Sequence, residues 1–547
     1  MRYLIALLLA ITVSAQSLRA QDPEYDFELL KNLELFEEVY KKVDINYVDE
    51  PSPGALMKAA IDAMLLELDP YTVYFPESEI EDYKLMSTGQ YGGIGAIIRQ
   101  VKEQVMIIQP HKGYPADKAG FIAGDIILEI DGKSCEGLSS SEVSEMLKGK
   151  PGSTFQLTVQ RGDDVLIKPI TREEIKLGPV PFYGMVNDDV GYIKLNSFTQ
   201  TAGQDVLQGF KDLKKSNNMT KCILDLRGNG GGLLIEAVKI VNMFVPKGSD
   251  VVAIKGRTGE ENREYKAMLK PEDLSIPLVV LVDGGSASAS EIVSGALQDL
   301  DRAVIVGETS FGKGLVQRPL DLKYNAKMKV TIAKYYTPSG RCIQKLDYSN
   351  REVGSDATAV SDEFITKFKT KNGRDVIDGR GVEPDVKVEL PDYSRLTATL
   401  VVNNIIFDFA TQYFLNNETI APATEFVVDD ALYSEFVAFA LKQDFEYTTA
   451  SGDMMEMLKE TAEKESYYQD AKDEYDALFA KFQPSKEEDL EKFKPEIKEL
   501  IGLEIVGRYY YEEGRIAYSL VNDKYIEEAV KILNDNARYK SILNITE

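Results

Sequence analysis

The feature that most constrains this chain is a unit that occurs twice. "KCILDLRGNGGGLLIEAVKIVNMFV" (221–245) and "PLVVLVDGGSASASEIVSGALQDL" (277–300) each run from an unbroken apolar stretch, through a turn of small residues, into a helix-periodic segment. A short apolar run without alternation belongs to a strand buried on both faces. A helix that follows such a strand crosses over the sheet, so that the next strand lies parallel. "AVIVGET" (303–309) supplies that next strand. Residues 176–345 therefore predict an α/β core, with both small-residue turns at strand-to-helix junctions.

The flanks have other textures. In residues 22–88, Phe27, Leu30, Leu33, Phe36 and Tyr40 share one helical face, and a second helix, Ala55 to Leu68, stops at Asp69-Pro70. Residues 91–174 alternate in short strands with glycine turns and one helix near Ser139–Leu147. Residues 346–378 are polar and turn-rich, a surface excursion, and from Leu396 on the pattern is amphipathic helix with acidic, tyrosine-rich faces. At 547 residues the chain exceeds one core, and ~150 residues per domain suggests three or four. Arg2 precedes an apolar run, Leu4 to Val13, and then small residues, so a secretory signal cleaved after Ala15 or Ala20 is expected. That run is shorter than the ~20 residues a membrane-spanning helix needs, and the mature chain is expected to be exported and soluble. A net charge of −26 without a basic cluster excludes a nucleic-acid binder. Cys135, Cys222 and Cys342 form neither a metal motif nor a disulfide framework. Cys222 reads as a buried strand residue, and a Cys135–Cys342 bridge has nothing in the sequence to support it.

Catalytic chemistry has to be found almost without histidine. The single one, His111, lies in the turn "PHKGYP" and reads as an exposed loop residue rather than a base. "GETSFGKG" (307–314) nearly matches a phosphate-binding loop, but Gly314 stands where the metal-binding hydroxyl belongs and a strand-like segment follows. "GNGGGL" (228–233) fails as a dinucleotide loop because Leu233 replaces the last glycine. Ser310 and Lys313 are spaced as S-x-x-K without a helix to bring them together. Ser286, Ser288 and Ser290 sit where unpaired N–H groups and the helix dipole favour a developing negative charge. They read equally as helix caps and small packing residues. If one is a nucleophile, its base is a lysine. A free lysine, with a pKa of about 10.4, is useless near neutral pH, but burial lowers it by up to ~3–5 units. Lys313, enclosed by glycines in "TSFGKGLVQ" (309–317), is the candidate, with Gln317 placed to orient its amine.

At these residues the chain resembles the C-terminal processing peptidases, or tail-specific proteases. The resemblance covers roughly residues 30–390 and rests on "LDPYT" (68–72), "GIGA" (93–96), "AGFIAGDIILEIDG" (119–132), "DLRGNGGG" (225–232), "SASASEI" (286–292), "GETSFGKGLVQ" (307–317), "YYTPSGR" (335–341) and "GVEPD" (381–385). It implies Ser288 as nucleophile, Lys313 as general base, Gln317 as the residue that holds the lysine, and Asp299 as a supporting acidic residue. The resulting acyl-enzyme chemistry needs an oxyanion hole, expected from the N–H of Ala289 and from Gly231 and Gly232. The implied fold is multidomain α+β. An α/β protease core of crotonase/Clp-protease-like strands and helices (176–392) carries an inserted PDZ domain (89–175). Helical regions at 21–88 and 393–547 flank it, after a signal peptide at 1–20. The PDZ carboxylate-binding loop would be Gly93, Ile94, Gly95 and Ala96, taking the C-termini of flexible or unfolded proteins as strand additions. No metal or organic cofactor is implied. A periplasmic or secreted location follows from the signal, and the C-terminal helices leave open a homodimer, a docked regulatory partner and a role in shaping access to the site. The rival is a silent or gated PDZ scaffold that binds chain ends without cutting, which predicts a damaged dyad or oxyanion loop.

Overall fold

The computed structural model describes residues 23–545, apart from 81–82, 84–88, 217, 350, 352–353, 390–391 and 483–484. The apolar run at 4–13 and both expected cleavage positions lie outside the described residues. The chain opens with α1 (Pro23–Asn46), α2 (Pro53–Leu66) and the short strand β1 (Val73–Phe75). Spacing put an apolar stripe on the first helix, and the stripe is there. It is nevertheless uncovered, with Phe27, Leu30 and Leu33 exposed by 66%, 62% and 59%.

A β module follows, made of β2 (Gln90–Gly93), β3 (Ala96–Val101), β4 (Gln104–Pro110), the short α3 (Pro115–Lys118), β5 (Ile126–Ile130), α4 (Ser140–Leu147), β6 (Thr154–Arg161), β7 (Asp164–Thr171) and β8 (Glu173–Lys176). Strands β3 to β7 form an antiparallel sheet in chain order, and β2 closes antiparallel on β8. Ser139 and Glu142 cap α4 reciprocally, each accepting the other's backbone N–H. Val105, Ile107, Phe121, Val143, Leu157 and Val159 form this module's own core.

The α/β core comprises β9 (Phe182–Met185), β10 (Val190–Lys194), α5 (Ala202–Ser216), β11 (Lys221–Asp225), α6 (Leu234–Asn242), β12 (Asp250–Gly256), β13 (Arg263–Lys266), β14 (Leu278–Val282), α7 (Ala289–Asp299), β15 (Val304–Gly307), β16 (Leu315–Asp321), β17 (Lys327–Tyr336) and β18 (Val386–Lys387). Its main sheet has the order β9-β10-β11-β14-β15-β18, antiparallel at β9–β10 and parallel elsewhere. Alternate side chains of the parallel strands point to opposite faces. Cys222, Leu224, Val280 and Ile305 pack with Phe210, Ile240, Val293 and Leu297 of α5, α6 and α7. Tyr192, Ile223, Val279, Leu281 and Val306 face the other way, and they are covered by the helices Lys524–Asn534 and Asn536–Ile542. The last helices of the chain are thus structurally part of the core, although the sequence reading set all of 393–547 apart as an extension. The strands' second apolar face requires that cover. A second, antiparallel sheet runs β1-β17-β12-β13, with β16 also paired to β17.

Residues 346–378 fold as two small ribbons, Leu346–Asp347 with Thr358–Ala359 and Lys367–Lys369 with Asp375–Ile377. Beyond them α8 (Arg395–Val402), α9 (Ile405–Asn416), α10 (Asp430–Ala440) and the helical segment Lys494–Ser519, kinked at Tyr511, share a separate core built on Phe409, Phe436, Ile501 and Ile505. All three cysteines are free. Among the described residues no helix is long and apolar enough to cross a membrane.

Candidate active site

Strands β11 and β14 are parallel neighbours, so the loops leaving their C-terminal ends meet, at the position where open α/β sheets place their sites. The two loops are laced together. Ala287 donates its N–H and Ser290 its hydroxyl to the Asn229 carbonyl (3.0 and 2.8 Å), Ser286 donates its hydroxyl to the Leu226 carbonyl (2.8 Å), and Gly228 donates its N–H to Asp283 (2.9 Å). Ser286 and Ser290 are therefore fully buried packing groups. Ser288, between them, borders a cavity of about 390 Å³ that it shares with Gly231, Gly232, Lys313, Gln317 and Lys329.

Ser288 occupies the cap of α7 at φ +56° and ψ −110°, a left-handed conformation that costs a non-glycine residue roughly 1–3 kcal/mol. Glu291 holds it there. This fully buried carboxylate accepts the N–H of Ser288 (2.7 Å) and of Lys313 (2.9 Å) on one oxygen. Its other oxygen accepts the Ser310 hydroxyl (2.6 Å) and the Gly312 N–H (2.7 Å). Burial pushes its pKa up, and these four donors work against that. The Tyr335 hydroxyl donates to the Ser288 carbonyl at 3.0 Å. The signal for Glu291 in the sequence is its spacing, since Ser288-x-x-Glu291 matches a capping box.

Lys313 enters from the loop before β16, and its Nζ rests on the face of the Tyr71 ring, 4.0 Å from the centroid. Burial first, then the like charge of Lys329, bring its pKa down to about 8 against the pull of Asp69 and Glu291. Gln317 lines the same cavity, with its amide nitrogen donating to Thr331 Oγ1 at 3.1 Å.

The glycine loop divides its labour differently from the expectation. At Gly231, φ +100°, a Cβ would lie 2.7 Å from the Ala287 carbonyl oxygen and 2.8 Å from Ser288 Cβ, so only glycine fits against the serine. Its N–H, however, donates to Asn229 Oδ1 at 2.9 Å. The expected oxyanion donor is thus committed to the Asn229 side chain, and the remaining donors of the proposed set are the N–H groups of Gly232 and Ala289. Asp299 is not in the cavity. It lies at the far end of α7, buried, paired with Arg341 at 2.9 Å and accepting the Ser339 N–H at 3.0 Å, where it fixes the 335–341 turn.

The second candidate site lies on the β module. Strand β3 is a sheet edge, and the Gly93–Ala96 turn leads into it. The turn's carbonyls are spent inward, Ile94 O accepting from Ala116 and Gly95 O from His111, both at 2.8 Å. A groove of about 470 Å³ beside β3 is lined by Ile98, by Ser140, Ser144 and Lys148 of the α4 side, and by Glu79 from outside the module. His111 is half-buried rather than exposed, in a cavity bordered by Tyr511 and Glu512, and its pKa is lowered by burial.

Residues 189–354 match the model of peptidase family S41, 106–161 that of the PDZ domain, and 396–533 that of a probable PDZ-protease C-terminal helical domain. A carboxy-terminal-processing protease of Bartonella bacilliformis is 36% identical over 340 residues, covering 61% of this chain and 77% of its own. This chain belongs to peptidase family S41. A probable CtpA-like serine protease of Staphylococcus aureus (strain MSSA476) is 34% identical to this S41 peptidase over 436 residues, covering 76% of this chain and 78% of its own. The solved photosystem II D1 C-terminal processing protease is 30% identical, covering 65% of this chain and 92% of its own with a TM-score of 0.37. By the three family matches, this S41 peptidase has a protease core, a PDZ domain and a C-terminal helical domain.

Proposed function

We propose that this S41 peptidase is an exported serine endopeptidase that uses a Ser288/Lys313 dyad and is directed to the C-terminal ends of protein substrates by its PDZ domain. One observation carries the reading: a single cavity brings together Ser288 on a strained cap, a lysine with its pKa lowered to about 8, and two glycines, Gly231 and Gly232, where a Cβ does not fit. In the neutral form Lys313 Nζ takes the Ser288 hydroxyl proton as Oγ attacks the peptide carbonyl. The oxyanion is received by the N–H groups of Gly232 and Ala289, at the positive end of α7. The lysine ammonium then gives its proton to the leaving amine. In the second half a water, deprotonated by the same lysine, attacks the ester, and the lysine returns that proton to Oγ as the acid product leaves and the Ser288 hydroxyl is restored. Gln317 borders the lysine, and Asp299 acts at a distance by fixing the turn beside it. The Gly93–Ala96 turn and the free edge of β3 supply a seat for a chain end, in the manner of β-strand addition. Export rests on the apolar run Leu4–Val13 with Ala15 or Ala20 as cleavage point. The uncovered apolar stripe of α1 is the surface on which a homodimer or a regulatory partner would form.

The test is cleavage of an unstructured reporter polypeptide with an apolar C-terminus, across pH 6 to 10. Ser288→Ala and Lys313→Ala are each expected to lower the rate by about 10³-fold or more with the fold intact by circular dichroism. Cutting that survives Ser288→Ala overturns the mechanism. Tail binding without cutting by the unaltered chain supports the gated or silent scaffold instead.

A further inference from the structure

The "LDPYT" turn contacts the candidate base, and a segment outside the α/β core braces that turn. Asp69 organises it: Oδ1 accepts the N–H of Tyr71 and of Thr72, both at 2.8 Å. Thr72 Oγ1 then accepts the Thr331 N–H at 3.2 Å, and Thr331 Oγ1 accepts from Gln317, so the turn is fixed to the strands that carry the lysine loop. This leaves the Tyr71 ring flat against Lys313 Nζ, at 4.0 Å. Among the described residues Lys313 Nζ makes no ion pair, although Asp69 and Glu291 stand near enough to influence it. Behind Tyr71 stands Tyr348 of the Leu346–Asp347 ribbon, edge to face with ring centroids 6.1 Å apart. The ribbon is tied down in turn, by Arg351 on the Leu66 carbonyl and by the Gly354 N–H on Glu67.

We infer that Tyr71 is a positioning residue for Lys313, holding its ammonium form on the ring face, and that the 346–359 ribbon, through Tyr348, keeps that ring in place. This rests on the dyad reading above. The base is neutral before proton transfer and cationic after it, so an aromatic face at Nζ favours the state the lysine reaches when it takes the serine proton. The same contact opposes burial, which favours the neutral amine. The other charged groups that act on the amine are Lys329 of β17, Asp69 of the turn and Glu291 of α7, and Tyr83 and Tyr335 line the same cavity. Among the described residues Tyr71 alone meets it through a π face at this distance.

The experiment reads the lysine directly. Carbamylation of Lys313 by cyanate, quantified by peptide mass spectrometry across pH 6 to 11, titrates its amine in the full chain whether or not the chain cuts. Cleavage of the reporter is followed in parallel. Tyr71→Leu is expected to move the Lys313 titration to lower pH by about half a unit to one unit, and to lower the cleavage plateau several-fold. Tyr71→Phe, which keeps the π face, should leave the midpoint in place. Tyr348→Ala should move it part of the way in the same direction, and it also serves if Tyr71→Leu does not fold. An unmoved midpoint in both Tyr71→Leu and Tyr348→Ala overturns the inference, as does a Phe variant that shifts as far as Leu. Titrations that behave as expected in a chain that never cuts leave the positioning standing and overturn the protease reading alone.

Discussion

The two walls of the cavity are built from different physics. On the serine wall, Ser288 is fixed by backbone groups and a buried carboxylate, with Gly231 packed too closely to admit a methyl. On the lysine wall, Lys313 is bounded by an aromatic face, a like charge at Lys329 and a loop of glycines. The serine wall sets geometry, because its hydrogen bonds are short, directional and dry. The lysine wall sets protonation, because burial and the like charge of Lys329 outweigh the pull of Asp69 and Glu291. Mutations on the first should move rate or stability at fixed pH, and mutations on the second should move the pH profile.

Glu291 belongs to both walls, and its loss should have the largest effect. Glu291→Gln turns a four-acceptor carboxylate into an amide whose nitrogen faces donors. At about 1–3 kcal/mol per unsatisfied buried group, two such conflicts cost about 2–6 kcal/mol, read by urea unfolding together with a near-complete loss of cleavage. A variant as stable as the parent and cutting at more than a tenth of its rate would show that the walls are independent. Asp299→Asn comes next. Asp299 and Arg341 are almost wholly buried, and breaking such a pair costs about 3–5 kcal/mol. Because the pair lies outside the cavity, the midpoint of the pH–rate limb should stay put while the denaturation midpoint falls. A shifted limb would bring Asp299 into the electrostatics of the lysine.

Gly231→Ala isolates geometry. Its Cβ would push on Ser288 itself, and a displacement of about 1 Å is enough to cost roughly 10²-fold in kcat. Gly228→Ala is the control, since its φ of +68° is equally left-handed but nothing lies within 4 Å of the added carbon. It should lose about 1 kcal/mol of stability and little activity. Equal losses of kcat in the two variants would mean that backbone strain, not contact with Ser288, explains the glycine.

What the sequence disclosed follows the same division. The strand–turn–helix units of the core were readable because buried strands and amphipathic helices leave local patterns, and neighbouring loops follow from a parallel sheet. Ser288 and Lys313 reach one cavity for that reason. Tyr71 and Tyr348 were not readable as neighbours of the lysine, since they arrive from segments with no periodic signal joining them. The cover on the sheet's second face was missed too: the helix Lys524–Asn534 is amphipathic in sequence, but nothing local says which of two apolar surfaces it meets. Gly231's committed N–H depends on the rotamer of Asn229, which no spacing encodes.

The smallest predicted effect is the sharpest test of the comparison. Lys329 lines the cavity, and its positive charge disfavours the ammonium of Lys313, helping to bring that pKa from its ordinary 10.5 to about 8. Lys329→Met keeps the bulk and removes the charge. The Lys313 pKa must then rise, so a smaller fraction of the base is neutral at any pH below the new value. The rising limb of kcat/KM should move to higher pH by up to about one unit. Activity at pH 7.5 should fall several-fold, while the alkaline plateau stays near that of the parent. Tyr71→Leu moves the same limb to lower pH, because it removes a stabiliser of the ammonium rather than a repeller. Opposite signs from two neutral substitutions on one wall are what an electrostatically poised lysine requires. If both variants lowered the plateau without moving the limb, Lys329 and Tyr71 would be shaping the cavity as packing groups, and the two walls would not differ in kind.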